Sequence, residues 1–245
     1  MTRHVTRALG LVAALAAGGA IPLLAIAQEE AVPVYHEPHH RMVFQSGFTR
    51  ILDVQVPPGD TSLFHSHDSP ILYVTLSAST LKTQLPGQDW SVPGRGGRGG
   101  GANAGSPSSQ GARISSTTSY VQQPVTHRIS NVGDRLFHLV AVINESKGND
   151  ASTPTDAGFS GAPELTNRWF RAYRFSLAPG ESTARHRHTT PAVLVATTDG
   201  RAVAAGPMTW ELNEAGRWAW FDAGVPHDIR NAGDARIELV EVEVR

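Results

Sequence analysis

The sequence predicts an all-β chain built from two similar halves. Apolar and polar residues alternate in short runs, and Gly and Pro separate these runs as turns do in antiparallel sheets. No helical period of 3.6 residues persists after residue 28. One histidine pattern is also written twice, which is typical of a tandem repeat. We therefore expect an antiparallel β-sandwich or barrel architecture.

Composition narrows the function classes. The chain has 245 residues, 40% of them hydrophobic, which suffices for one large or two small domains. The net charge is −1, so the chain lacks the excess of basic residues that is typical of nucleic-acid-binding proteins. The absence of cysteine excludes disulfides, thiolate metal ligands and a cysteine nucleophile.

The first 27 residues read as a targeting segment. Arg3 and Arg7 precede an apolar stretch over residues 8–27, which ends in an Ala-Ile-Ala cleavage pattern. We predict a Sec-type signal peptide that is cleaved after Ala27, and hence a soluble periplasmic or secreted protein. The alternative is an uncleaved membrane anchor.

The rest of the chain divides into two units and a linker. The predicted first domain spans residues 28–146, with strands over 43–56, 71–76 and 115–143. A Gly-rich loop at about 86–112 interrupts it and has no counterpart in the second half. A polar linker follows at 147–163, and the predicted second domain spans 164–245, ending in an apolar strand over 237–244.

Each half carries three histidines at matching spacings. A Gly is followed after five residues by His-x-His, and a third His lies downstream with an Asn four residues after it. The members are Gly59, His65, His67, His127 and Asn131 in the first half, and Gly180, His186, His188, His227 and Asn231 in the second. We expect the two asparagines to satisfy turn backbone.

These motifs resemble the cupin superfamily. The second half carries its first motif, Gly180-x5-His186-x-His188, and a version of its second, Gly216-x5-Asp222-x-Gly224-x2-His227. The resemblance covers about residues 40–245. It implies a bicupin, with two tandem double-stranded β-helix (jelly-roll) barrels. Both copies lack the Glu that cupins usually carry after the second His.

The histidine spacing allows a metal site in each half. Residues i and i+2 of a strand share a face about 7 Å apart, and a third His from another strand completes a three-nitrogen face. Such a face suits a divalent transition metal (Fe, Zn, Cu, Mn or Ni) and favours a small anionic or chelating ligand. The second site has the more complete motif. The alternative is that the histidines form buried hydrogen-bond networks without metal.

Further polar residues are candidates around these sites. Glu238 and His138 each lie eleven residues after the third His, on the strand face that also carries Val240 and Val140. If that face lines the barrel, Glu238 can replace the missing carboxylate; otherwise both lie exposed at the rim. A His-rich stretch, His36, His39 and His40, can bind metal, but such residues more often cap the start of a strand.

Two classes of function remain open. One is a metal-dependent enzyme acting on a small oxygenated substrate, with dioxygenase chemistry ahead of isomerase or lyase chemistry. The other is a non-catalytic periplasmic protein that binds a metal or a small molecule. A structural cupin that binds nothing is a third, weaker hypothesis. Cupins often dimerise, so a homodimer is also considered.

Overall fold

A computed structural model describes residues 30–91, 112–150 and 162–245. The predicted signal peptide with its cleavage site lies outside these residues, as do most of the Gly-rich loop and most of the linker. No helix in the described part of the chain is long and apolar enough to cross a membrane.

The described first half is a chain of nine strands. They are β1 (Val32–Pro33), β2 (His40–Ser46), β3 (Thr49–Val56), β4 (His65–His67), β5 (Ile71–Ser77), β6 (Leu81–Gln84), β7 (Arg113–Thr117), β8 (Val125–Asn131) and β9 (Phe137–Asn144). Two short 3-10 helices, Val34–His36 and Ser119–Val121, join them.

The second half adds eight more strands. They are β10 (Leu165–Thr166), β11 (Phe170–Leu177), β12 (Ala192–Ala196), β13 (Ala202–Ala205), β14 (Thr209–Leu212), β15 (Trp218–Phe221), β16 (Asp228–Asn231) and β17 (Ile237–Val244). The predicted all-β class, with jelly-roll barrels, is confirmed.

Each half forms a larger and a smaller sheet around its own core. In the first half the strand orders are β2-β3-β9-β5-β7 and β1-β4-β8-β6; in the second they are β10-β11-β17-β12-β15 and β14-β13-β16. All described pairings are antiparallel except that between β1 and β4. None of these sheets mixes strands from the two halves.

The large sheets of the two barrels pack against each other. Their shared apolar layer joins Leu72 and Val142 of the first half to Val193 and Val242 of the second, all of them fully buried. The ring of Phe44 lies 5.3 Å and 5.0 Å from those of Trp218 and Trp220. The central strands β9 and β17 are therefore covered on both faces, by a barrel interior on one side and by the other barrel on the other.

The two asparagines hold equivalent turns, as the spacing predicts. Asn131 donates to the carbonyls of Val56 and Arg135, and its side-chain oxygen accepts from the Gly133 amide. Asn231 makes the same three hydrogen bonds to Leu177, Ala235 and Gly233. Asn131 ends β8, which contains His127, and Asn231 ends β16, which begins directly after His227. The same asparagine turn therefore fixes the strand of the third histidine in both barrels.

Candidate metal centres

The second histidine triplet converges inside the second barrel. The backbones of His186 and His227 pair through two hydrogen bonds, of 2.9 and 2.8 Å, which set the two rings side by side. His188 lies two residues further on the same face. All three residues are buried, and Phe221 stacks on the His227 ring with a centroid distance of 3.8 Å.

Glu241 of β17 completes this cluster. It is fully buried, and its carboxylate lies 3.2 Å from His186 Nε2, 3.0 Å from His188 Nε2 and 2.7 Å from His227 Nε2. Burial alone would raise the pKa of Glu241, but the three imidazoles outweigh it and hold that pKa well below its usual value. The cluster therefore contains an ionised carboxylate among three rings.

The other ring nitrogens are fixed by partners outside the cluster. Nδ1 of His186 donates to the Ala184 carbonyl at 2.9 Å, and Nδ1 of His227 donates to that of Val225 at 3.0 Å. These bonds leave Nε2 of a neutral ring with a lone pair directed at the Glu241 carboxylate. Two electron-rich atoms repel at such distances unless a positive charge, either a proton or a metal cation, lies between them.

His188 differs from the other two rings because its Nδ1 contacts a second carboxylate. Glu243 Oε1 lies 3.0 Å away, and Glu243 Oε2 lies 3.3 Å from the Arg171 guanidinium. Burial lowers the pKa of His188, but Glu241 and Glu243 outweigh this and raise it to about 9. Metal-ligating histidines commonly have a carboxylate or carbonyl at their second nitrogen, and all three rings meet this condition.

The donor spacing fits a metal ion. One ligand atom from each of the four residues lies within 4.8 Å of all the others. Two ligands bound at about 2.1 Å and at right angles are about 3.0 Å apart, close to the contacts that Glu241 makes. This group can hold a divalent transition metal.

The first triplet also converges. His65 on β4 pairs with His127 on β8, and His67 Nε2 lies 3.0 Å from His127 Nε2. His65 Nδ1 donates to the Leu63 carbonyl at 2.9 Å. Within the described residues, His65 Nε2 and His67 Nδ1 are buried without a hydrogen-bond partner. One ligand atom from each of these three residues lies within 4.8 Å of the other two.

Burial keeps the first triplet neutral. It lowers the pKa of His65 to about 2 and that of His127 to about 4, and it lowers the pKa of His67 well below its usual value. Tyr120 stacks on His67 with a centroid distance of 4.9 Å. A neutral, partly unsatisfied nitrogen cluster in an apolar interior fits a metal, because a cation would use the lone pairs that are otherwise buried unpaired.

The predicted role of Glu238 and His138 is wrong. Both share a strand face with Val140 or Val240, as the alternation requires, but that face packs between the barrels and does not line an interior. Glu238 is partly exposed, 4.0 Å from Arg174, and His138 Nε2 contacts Asp53 at 2.9 Å. Neither reaches a histidine triplet.

Sequence reasoning missed Glu241 and Glu243, which lie on the opposite face of the same strand. A comparison of the two halves of the sequence could have identified these two residues. Ala141 and Ile143 occupy the matching positions 100 residues earlier, so only the second half has acidic residues there. The alternation of the strand alone does not show it, because both faces of β17 carry apolar residues.

The histidines of the N-terminal stretch separate in the structure. His36 is exposed, and His39 contacts Glu37 and Asp60. His40 begins β2 and is buried, with its Nδ1 2.5 Å from Glu37 Oε2 and its ring centroid 4.3 Å from that of His65.

Comparisons with known proteins agree with this architecture. Residues 173–243 match the family described as the cupin domain. No curated protein matches the chain. Among solved structures, AerE from Microcystis aeruginosa aligns with a TM-score of 0.55 at 12% identity, over 82% of this chain and 90% of its own.

Two further solved structures align less well. Salicylate 1,2-dioxygenase from Pseudaminobacter salicylatoxidans gives a TM-score of 0.49 at 11% identity, over 80% of this chain and 71% of its own. A cupin domain from Bordetella pertussis Tohama I gives 0.31 at 26% identity, over 34% and 90%. The second half thus carries a cupin domain over residues 173–243, as its motifs predict.

Proposed function

We propose that this chain is a metalloprotein whose second barrel binds a divalent transition metal. The observation that carries this proposal is the convergence of His186, His188, His227 and Glu241 in one buried cluster. Imidazole ligands suit Zn, Cu, Fe and Ni, and a carboxylate extends the range to Mn. Glu241 supplies one negative charge against the two positive charges of the ion. A small anionic or chelating ligand can compensate the remainder.

We further propose that the reaction is an oxidation of a small oxygenated substrate with O₂. A metal held by four protein ligands and able to take six would supply positions for substrate and O₂. The residues of the chain fix the rings: Ala184 and Val225 orient His186 and His227, and Glu243 orients His188. Phe221 and the apolar core beneath it exclude water from one side of the cluster.

One observation favours the non-catalytic alternative. The side chains of the three histidines and of Glu241 are at most 1% exposed. Closed sites are typical of structural metals, while catalytic sites keep a position open to substrate. A protein that stores, carries or is stabilised by the metal therefore stands as the second candidate.

Metal analysis of the protein beginning at Gln28, purified without a His tag, tests the proposal. We expect at least one equivalent of a transition metal, and its loss from the second barrel in the His186→Ala/His188→Ala/His227→Ala variant. Glu241→Gln should weaken binding, and Glu238→Gln, on the other face of β17, should not. A wild-type protein that takes up no metal even after reconstitution would exclude the proposal. O₂ uptake with iron, copper or manganese loaded then separates an oxygenase from a binding protein.

We also propose that the protein is exported and cleaved after Ala27. The Arg3 and Arg7 charges, the apolar run and the Ala-x-Ala pattern support this proposal. N-terminal sequencing of protein from the periplasmic fraction should begin at Gln28. Recovery of the full-length chain in the membrane would support an uncleaved anchor instead.

A further inference from the structure

The N-terminal strap, residues 32–40, lies against the histidine strand of the first barrel. Its strand β1 pairs in parallel with β4, which places Val32 beside His65 and Pro33 beside Ser66. The Val32 amide donates to the Phe64 carbonyl at 3.0 Å. This carbonyl directly precedes His65, so the strap holds the backbone from which the His65 ring projects.

Glu37 is the buried acid of the strap. It is 2% exposed, and its carboxylate accepts hydrogen bonds from the backbone amides of Leu63, at 3.1 Å, and His39, at 2.9 Å. The rings of His39 and His40 contact the same carboxylate through Nδ1. Burial alone would raise the pKa of Glu37, but these contacts, led by that of His40, outweigh it and lower the pKa to about 2. An ionised carboxylate therefore lies beside the first barrel.

Glu37 is connected to His65 by two routes. The first passes through Leu63, whose amide donates to Glu37 and whose carbonyl accepts from His65 Nδ1 at 2.9 Å. That second bond leaves the lone pair of a neutral His65 on Nε2, the form of the ring that binds metals. The second route passes through His40, whose ring contacts Glu37 and lies 4.3 Å from the His65 ring, centroid to centroid. Both the tautomer and the position of the His65 ring are thus linked to Glu37.

The charge of Glu37 also bears on the first triplet. Three neutral imidazoles leave the charge of a divalent ion uncompensated, and Ala141 stands where the second barrel has Glu241. One ligand atom each of Glu37, His40 and His65 lies within 4.8 Å of the other two, so the carboxylate is close to the ring nitrogens. Its two oxygens already contact two backbone amides and two rings, which fills their hydrogen-bonding capacity. Glu37 therefore acts on the triplet from outside it, without being a ligand.

We propose that Glu37 is a positioning residue for a metal ion bound by His65, His67 and His127. It fixes the tautomer and the ring position of His65 through Leu63 and His40, and its negative charge offsets part of the charge of the ion. The proposal rests on metal binding by the first triplet. It is independent of the metal that we propose for the second barrel.

Equilibrium dialysis of the His186→Ala/His188→Ala/His227→Ala protein isolates the first triplet. Zn(II) and Cu(II) are the probes, because imidazole ligands suit both ions, and we expect about one equivalent of each in separate experiments. In this background, Glu37→Gln should lower either affinity by about 10- to 100-fold, as the loss of a residue that orients a metal ligand typically does.

Asp60→Asn is the matched control for the change of charge. It removes an equal negative charge that also contacts the strap, at the ring of His39, but that is half-exposed. Its metal affinity should equal that of the parent protein.

The tautomer of His65 separates positioning from a loss of stability. In metal-free protein, nitrogen NMR should show His65 protonated on Nδ1 and unprotonated on Nε2, because Nδ1 donates to Leu63. Glu37→Gln should give a mixture of the two tautomers, and Asp60→Asn should not. This comparison needs no metal, so the wild-type chain serves for it if the triple variant does not fold.

Three results would overturn the proposal: no zinc or copper bound by the folded triple variant, an affinity of Glu37→Gln equal to that of Asp60→Asn, or an unchanged His65 tautomer in Glu37→Gln. If Glu37→Gln does not fold, Glu37→Asp replaces it. That variant keeps the charge but is too short to hold both Leu63 and His40, so it should also mix the tautomers; a wild-type tautomer would overturn the proposal. Metal in the first barrel without metal in the second would contradict only the function proposed above.

Discussion

The two barrels share one frame and differ in what their last strand carries. Both pair a His-x-His stretch with a third histidine, and both anchor the strand with an asparagine. β9 directs Ala141 and Ile143 into the first barrel, while β17 directs Glu241 and Glu243 into the second. The frame thus positions three imidazoles in each half, and the last strand decides whether a carboxylate joins them.

A change of side-chain size accompanies this change of charge. In the first barrel, Tyr73 pairs with Ala141; in the second, Leu194 pairs with Glu241. Tyr73 is 6% exposed and forms a hydrogen bond with Tyr120, which stacks on His67. The tyrosine therefore fills volume that the carboxylate occupies in the other half, and it helps to hold one ring of the triplet in place.

The largest difference should appear on removing the Glu241 carboxylate. In metal-free protein, Glu241→Ala removes the buried carboxylate that contacts all three rings and leaves the His188 charge with Glu243 as its remaining partner. We expect the free energy of unfolding to fall by about 3 kcal/mol. Glu238→Ala on the same strand removes a partly exposed carboxylate and should cost about 0–1 kcal/mol. Urea unfolding of both variants measures the difference. Equal losses would mean that the buried cluster is not held by Glu241.

Moving the carboxylate into the first barrel should have a smaller effect. Ala141→Glu inserts a larger side chain beside Tyr73, and overpacking of this kind costs about 1–3 kcal/mol. Combining it with Tyr73→Leu restores the pairing of the second barrel, so the double variant should be more stable than the sum of the single changes predicts. It should also bind Mn(II) in the first barrel.

A double-mutant cycle by urea unfolding, with Mn(II) dialysis of each variant, measures both effects. Additive free energies would show that Tyr73 and residue 141 do not compete for one volume. If Ala141→Glu leaves the manganese affinity unchanged, the carboxylate on the last strand does not determine which metal a barrel prefers.

Much of the fold could be predicted because local patterns determine it. Alternation and turn residues indicate the strands, and the repeated spacing places His186 and His188 on one face regardless of tertiary context. The structure brings both triplets together as that spacing predicts. The turn role of Asn131 and Asn231 is confirmed for the same reason, since it depends on residues close in sequence.

The fourth side chain of the second cluster, Glu241, depends on tertiary structure. Both faces of β17 are buried, one in the barrel and one between barrels, so alternation could not tell whether Glu238 or Glu241 faces inward. The ring contact between His40 and His65 likewise joins residues of two separate strands, and no local pattern encodes it. The histidine motif therefore predicts three donors in each half, and only the structure shows that β17 contributes Glu241 as the fourth in the second half.

Per histidine and per pH unit, the smallest expected effect is a difference in how the stability of the metal-free barrels responds to pH. In the first barrel, burial lowers the pKa of His65 from 6.5 to about 2. Below pH 6.5 the unfolded chain binds a proton that the folded chain does not, so stability falls as the pH falls from 6.5. The slope is about 1.4 kcal/mol per pH unit for each such histidine.

The second barrel should lose stability as the pH rises, not as it falls. The pKa of His188 is raised to about 9, so its contribution is fully present below pH 6.5 and is lost as the pH rises from 6.5 through 9. Urea midpoints of metal-free protein between pH 5 and pH 9.5 measure both slopes. His65→Gln should reduce the acid slope, His188→Gln should remove the alkaline slope, and His36→Gln should change neither. If His188→Gln keeps the alkaline slope, the charge in the second cluster does not lie on His188, and the contrast between a neutral and a charged triplet fails.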